Sequence, residues 1–214
     1  MTDIDKIKKL RQSTGAGFKD CNSALKESNG DLEKASEILR IKGVAKASKK
    51  MSRNANEGVI VISGDSNKTS LVEVNCETDF VAKNDEFINF VKELSEINNN
   101  CSSNLEELNN SIMQNNKTVK DNLVDLISKI GEKITIRRAK FFSNDGANFC
   151  YVHNSLEKNI GKVISIVKLT GENKQDIDNV GAKLAMHIAA QSTISISQDG
   201  INKNILDKEL EIIK

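Results

Sequence analysis

A chain of 214 residues with 38% hydrophobic and 29% charged residues has the balance of a globular protein and the length for two modest domains. Its formal net charge of +1 removes the whole-chain electrostatic case for binding nucleic acid or an acidic membrane, leaving only local patches to consider. With Phe 7, Tyr 1 and Trp 0 the core falls to Ile, Leu, Val and Ala, and with Pro 0 the loops must be punctuated by Gly, Asn, Asp and Ser.

From Thr2 to about Gly43 the pattern predicts three short helices. Thr2 and Asp5 have capping-box spacing, and Ile4, Ile7 and Leu10 make one face. Gly15-Ala16-Gly17 breaks that helix. A second carries Phe18, Cys21, Ala24 and Leu25 and stops at Asn29-Gly30. Asp31 caps a third, with Leu32, Ala35, Ile38 and Leu39 on one side. Val44 to Glu57 is basic, with Lys46, Lys49, Lys50 and Arg53, and reads as a linker or a solvated helix end, so a domain boundary is expected there.

At Gly58 the periodicity changes. Val59–Ile62 and Leu71–Val74 are β-rich runs around Gly64-Asp65-Ser66-Asn67, a hairpin signal. A helix is expected from about Ala82, with Phe87, Phe90, Val91 and Leu94 on one face. Leu105 and Leu108 mark a short helix beyond the Asn98-Asn99-Asn100 loop. Thr118 opens a clearer one, with Leu123, Leu126, Ile127 and Ile130, which Gly131 closes. Ile134–Phe141 reads as a strand. A second round begins near Ala147: Phe149, Tyr151 and His153 alternate, and Val163–Val167 reads as a strand buried on both faces. Ile177, Val180, Leu184 and Ile188 form a helix face, and Ile201 to Lys214 is amphipathic with no stop signal, so the chain is expected to end inside a helix, as a truncated protein would.

The fold class is therefore α+β, and the two rounds of strands and helix suggest related subdomains. Neither a basic-then-apolar leader nor an apolar run of the ~20 residues that span a bilayer is visible. Cys21, Cys76, Cys101 and Cys150 form no CxxC pair, which fits reduced thiols in a cytoplasm.

Enzyme chemistry finds little support. Gly161-Lys162 would need Gly where Leu156 stands and Ser or Thr where Val163 stands to make a phosphate-binding loop. Gly15-Ala16-Gly17 begins a GxGxxG pattern that Asp20 ends. Cys150 and His153 are two potential zinc ligands where a structural site wants four. Cys76 lacks the local signature of a cysteine hydrolase and reads better as a packed thiol. The stretch from Lys46 to Arg53 could touch RNA, but no aromatics interleave with its charges. No metal and no cofactor are expected.

The informative segment is Asn75-Cys76-Glu77-Thr78-Asp79-Phe80-Val81-Ala82-Lys83-Asn84. On its own it is a strand end, then Thr78 as N-cap and Asp79 in a helical first turn. Phe80 stands seven residues before Phe87, so helical phase alone buries it. The segment resembles the N-C-[EQ]-T-D-F-V-A-[KR] signature of the elongation factor Ts family. Leu10-Arg11-Gln12-Ser13-Thr14-Gly15-Ala16-Gly17-Phe18-Lys19-Asp20-Cys21 resembles that family's L-R-x-x-T-G-A-G-x-x-D-C. Asn29-Gly30-Asp31 with Ala35, Ile130-Gly131-Glu132 with Ile136-Arg137-Arg138, Tyr151 with His153, and Ala185-Met186-His187-Ile188-Ala189-Ala190 follow in family order.

The resemblance implies a UBA-like three-helix module with a basic linker over 1–54, a first core subdomain over 55–145, and a partial second one over 146–214 that runs into a helical hairpin. It implies a protein with no catalysis of its own that binds elongation factor Tu, GDP-bound and nucleotide-free, and promotes GDP release. Thr78, Asp79, Phe80 and Val81 would form the tip that dislodges the partner's Mg²⁺. Arg11, Phe18, Ile130, Gly131 and His153 would be further contacts, with His153 near the inserted Phe. Neither nucleic acid nor membrane is implied, and the hairpin is implied to serve dimer or partner contacts in full-length family members. Asn22 stands where the family often has a basic residue, and Ser192-Thr193-Ile194 where it often has proline. Two alternatives stay open: a plain binding module in which only the N-terminal bundle works, and a small cysteine- or metal-dependent enzyme.

Overall fold

The computed structural model describes residues 2–101, 103–143, 146–191 and 193–213. Lys214, at the end of the expected last helix, and Asp145, at the expected subdomain boundary, lie outside the described residues. The chain opens with α1 (Asp3–Thr14), α2 (Phe18–Glu27) and α3 (Leu32–Lys50). Thr2 and Asp5 close the capping box at the start of α1, and the Asp31 carboxylate accepts from the backbone of Glu33 and Lys34 to start α3. Ile7, Leu10, Cys21, Ala24, Leu25, Ala35 and Leu39 form a small core of their own, as a UBA-like module requires.

α3 does not stop at Gly43. It continues through the basic stretch to Lys50, so that stretch is a helix end rather than an extended linker. Lys46 in that stretch pairs with Asp20 at 2.8 Å, and Lys42 just before it with Glu27 at 2.5 Å. Ala47 on this extension is buried in the main core, and α3 packs along α7 (Val119–Ile130).

Next come β1 (Glu57–Gly64), β2 (Lys68–Cys76), α4 (Asp79–Ala82), α5 (Asp85–Asn98), α6 (Leu105–Asn110) and, after α7, β3 (Ile134–Ser143). β4 (Ala147–Glu157), β5 (Ile160–Leu169), α8 (Lys174–Ala190) and α9 (Lys203–Ile213) complete the order. The strands form one antiparallel sheet in the order β3-β2-β1-β5-β4, an α+β architecture. The two rounds of strands meet where Val61 pairs with Ile160.

Alternation places Val59 and Val61 on one face of β1, and Val72, Val74 and Cys76 on the same face of β2, where α4 and α5 cover them while α7 packs against β3. Phe87 and Leu94 of α5 are fully buried there. In the second round α8 covers the other face: Ser165 Oγ donates to the Ala185 carbonyl. Gly181 lets α8 approach β4, since a Cβ there would lie 2.2 Å from the Phe149 ring. Covered on one side only, β5 is not buried on both faces: Lys162 and Val163 are exposed. Its apolar V-I-S-I-V run reads as a central strand, but α8 packs on the opposite face from Ile164 and Ile166, which remain half-buried.

A bulge on β3 sets Arg137 as an extra residue between Ile136, opposite Val74, and Arg138, opposite Glu73. Both guanidinium groups thereby reach the buried Glu73 carboxylate, Arg137 Nη1 at 2.8 Å. Burial pushes the Glu73 carboxyl up, but the two Arg hydrogen bonds outweigh it and hold the group below its usual 4.5. A carboxyl depressed on folding gives stability that is present above its unfolded value and lost as pH falls through the folded one. The stability read by denaturant unfolding is thus expected to fall as pH drops below about 4.5. In Glu73→Gln that part of the acid dependence should be absent, and an unchanged slope in the variant would contradict the assignment.

Candidate functional site

The site is built at the end of β2. Cys76 is the last buried residue of the strand, and its thiol donates to the Thr78 carbonyl at 3.2 Å. Thr78 then caps α4, its Oγ1 accepting from the Val81 N–H at 3.4 Å. α4 is a single turn. Lys83 ends it, and the Asn84 Oδ1 accepts from the backbone of Glu86 and Phe87 to start α5 afresh.

That break overturns the helical-phase expectation for Phe80. Were α4 and α5 one helix, Phe80 would share the face of Phe87. With the axis reset at Asn84, Val81 and Ala82 turn into the core and Phe80 stands 81% exposed. A single exposed apolar side chain is ordinary in itself. What sets Phe80 apart is that the backbone on both sides of it is fixed. Asp79 beside it is held by Lys83 at 2.8 Å, a hydrogen bond and charge pairing that keep its carboxyl below the usual range.

The other wall is the α7–β3 junction. Gly131 ends α7 in the left-handed conformation, φ 88°, where a Cβ would be strained. Its carbonyl accepts from Lys50 Nζ at the end of α3. The following Glu132 takes two hydrogen bonds from Thr78, one from the backbone N–H at 3.1 Å and one from Oγ1 at 2.8 Å. The Glu77 carboxylate in turn accepts from the Lys133 N–H at 2.5 Å and faces Arg53 at 3.4 Å. The Lys133 N–H holds the Glu77 carboxyl below its usual range, with the Arg53 charge adding. Lys133 Nζ donates to the carbonyls of Met51 and Arg53, both at 2.8 Å.

The structure thus ties the Thr78–Val81 turn to Glu132, the neighbour of Gly131, and Ile130 packs half-buried against the main core just before them. Arg11 and Phe18 lie on the bundle. Both are exposed, and Arg11 lines a groove of about 790 Å³ beside Glu86, Phe90 and Lys129. His153 is exposed on β4 opposite Val163, next to Lys162, which pairs with Glu57 of β1. The resemblance sets His153 near the tip; the ring beside it here is Tyr151, with centroids 6.1 Å apart. Glu77, Glu132 and Lys133 were missed as site residues: the contacts they make cross 54 to 56 positions of sequence, which no local pattern signals.

Burial, with the Glu132 and Glu57 charges adding, pushes the Cys76 thiol up to about 12, so it stays protonated at neutral pH and serves as a donor. Burial likewise pushes Cys150 up to about 11. Cys150 and His153, three apart on one strand, point to opposite faces. Among the described residues no group of three or more His, Cys, Asp or Glu could hold a metal ion, and no helix is long and apolar enough to cross a membrane.

Comparison with known proteins converges on one family. The family model described as Elongation factor TS matches residues 77–214, from the residue before the tip onward. The chain is similar to Elongation factor Ts of Clostridium kluyveri, 43% identical over 100% of this chain and 71% of that protein. It is 39% identical to Elongation factor Ts of Methylorubrum populi over 97% of this chain and 69% of the relative. Elongation factor Ts of Ehrlichia ruminantium is 40% identical over 99% of this chain and 75% of its own length. With the bundle, the sheet and the tip all inside those alignments, the chain belongs to the elongation factor Ts family.

Proposed function

We propose that this chain is a guanine nucleotide exchange factor for elongation factor Tu in the cytoplasm, with no catalytic chemistry of its own. The observation that carries the reading is a Phe held 81% exposed on a backbone fixed at both ends. Family membership supports the partner. Residues 1–54 dock as a UBA-like module through Arg11 and Phe18. The core, divided at 145/146, presents Thr78, Asp79, Phe80 and Val81, with Ile130, Gly131 and His153 around them. Neither nucleic acid nor membrane takes part, and longer family members can dimerise through the hairpin that α9 begins.

GDP is held in a GTPase by phosphate contacts and by Mg²⁺ bridging the phosphate charge. A Phe inserted beside the metal site biases a bistable switch region toward a state that holds Mg²⁺ poorly. The uncompensated phosphate charge then speeds GDP release, and abundant GTP rebinds. Since Asp79 is already paired with Lys83, the tip does not carry a bare carboxylate toward the phosphates.

Such coupling is reciprocal. In isothermal titration the chain is expected to bind nucleotide-free elongation factor Tu about tenfold or more tighter than the Mg²⁺·GDP form. Equal affinity for the two forms would remove the basis for exchange.

A further inference from the structure

We propose that Glu132 is the positioning residue of the tip, the group that sets where Phe80 points; this rests on the reading of Phe80 as the inserting side chain. Two short segments far apart in sequence grip each other reciprocally. The Glu132 carboxylate accepts the Thr78 backbone N–H at 3.1 Å, and the Glu77 carboxylate accepts the Lys133 backbone N–H at 2.5 Å. Each segment thus gives one side-chain acceptor and one main-chain donor to the other. The pattern is that of a capping box, made between two parts of the chain instead of within one helix.

Glu132 does a second thing. It accepts a hydrogen bond from the Thr78 hydroxyl at 2.8 Å, which leaves the hydroxyl oxygen's lone pairs for the Val81 N–H. The cap of α4 is therefore oriented by a residue outside α4. A four-residue helix has no stability of its own, so its geometry is set by whatever holds its ends. At the far end, Val81 and Ala82 are anchored in the core and Asn84 restarts the chain. At the near end, Glu132 takes both the N–H and the hydroxyl of Thr78, while the Cys76 thiol holds its carbonyl. Glu132 is itself fixed, since Gly131 before it is tied to Lys50 and Lys133 after it to Met51 and Arg53. The end of the long α3 is thereby linked to the angle of the tip.

A tip fixed in advance loses less conformational freedom on insertion and meets its target in the right orientation. Removing Glu132 should leave docking through the rest of the surface intact and slow the step driven by insertion. The test is stopped-flow release of a fluorescent GDP analogue from elongation factor Tu, with the full chain at varied concentration. Glu132→Ala is expected to lower the maximal release rate about tenfold, with the half-saturating concentration within about twofold of the parent. Glu132→Gln, which keeps an oxygen for the Thr78 N–H, should recover most of the rate. Where Glu132→Ala folds poorly by circular dichroism, Glu132→Asp keeps the charge and withdraws the carboxylate by one methylene, and a loss of several-fold is expected. Combined with Phe80→Ala, each Glu132 variant should add little further loss, because both act through one side chain. Losses that multiply, or a Glu132→Ala chain as fast as the parent, would overturn the positioning role. Failure of the underlying reading is distinguishable: there, Phe80→Ala alone would release GDP at the parent rate.

Discussion

Phe80→Ala is expected to lower the maximal rate of GDP release from elongation factor Tu about 30-fold, the effect of losing about 2 kcal/mol at an interface hot spot. Stability should stay within about 0.5 kcal/mol of the parent, because the side chain is 81% exposed. Those two outcomes together separate the assignment from a structural one. Stopped-flow release gives the first and urea unfolding the second. A variant that releases GDP at the parent rate would show that Phe80 is one more exposed apolar residue. A variant that loses rate and stability together would place the defect in folding.

Phe87→Ala is expected to do the reverse. This ring is fully buried among the α5 and sheet residues of the main core. Truncation removes its transfer free energy and leaves a cavity, costing about 3–5 kcal/mol. That is a large share of the about 5–15 kcal/mol that holds a domain folded. The melting temperature should fall by about 10 °C. Urea unfolding at constant slope would show a shifted midpoint, and a shift below about 1 kcal/mol would contradict the packing described. Measured at a temperature where the variant remains folded, it should still accelerate GDP release. The two phenylalanines stand seven positions apart, yet one is exposed and the other lies in the core.

That contrast shows how far the sequence could be read. Caps were legible because their chemistry is local: Thr2 with Asp5, Asp31, Thr118 and the left-handed Gly131 all stand where composition predicts. The hairpin at Gly64-Asp65-Ser66-Asn67 was legible for the same reason, and the α+β class followed from the change of periodicity at Gly58. Phe80 was misplaced because hydrophobic phase was carried across Lys83 and Asn84. The correcting signal was present, an Asn followed by Asp85 and Glu86, which is a helix start. The strand at Val163 misled because an apolar run reports residue type and not what lies over it. The grip of Glu132 on Thr78 and the pairing of Arg137 and Arg138 with Glu73 were not legible from pattern. Both depend on register between distant segments, and the second also on a bulge.

The site itself was reached through resemblance, and the physical reading supplies what resemblance does not: a reason why the tip is held still. The most direct measurement is the rate at which a fluorescent GDP analogue leaves elongation factor Tu in the presence of this chain, compared with elongation factor Tu alone in the same Mg²⁺. The account predicts a saturable acceleration that falls as Mg²⁺ is raised, since metal and tip compete for the same state of the switch. A release rate unchanged at saturating chain would contradict it.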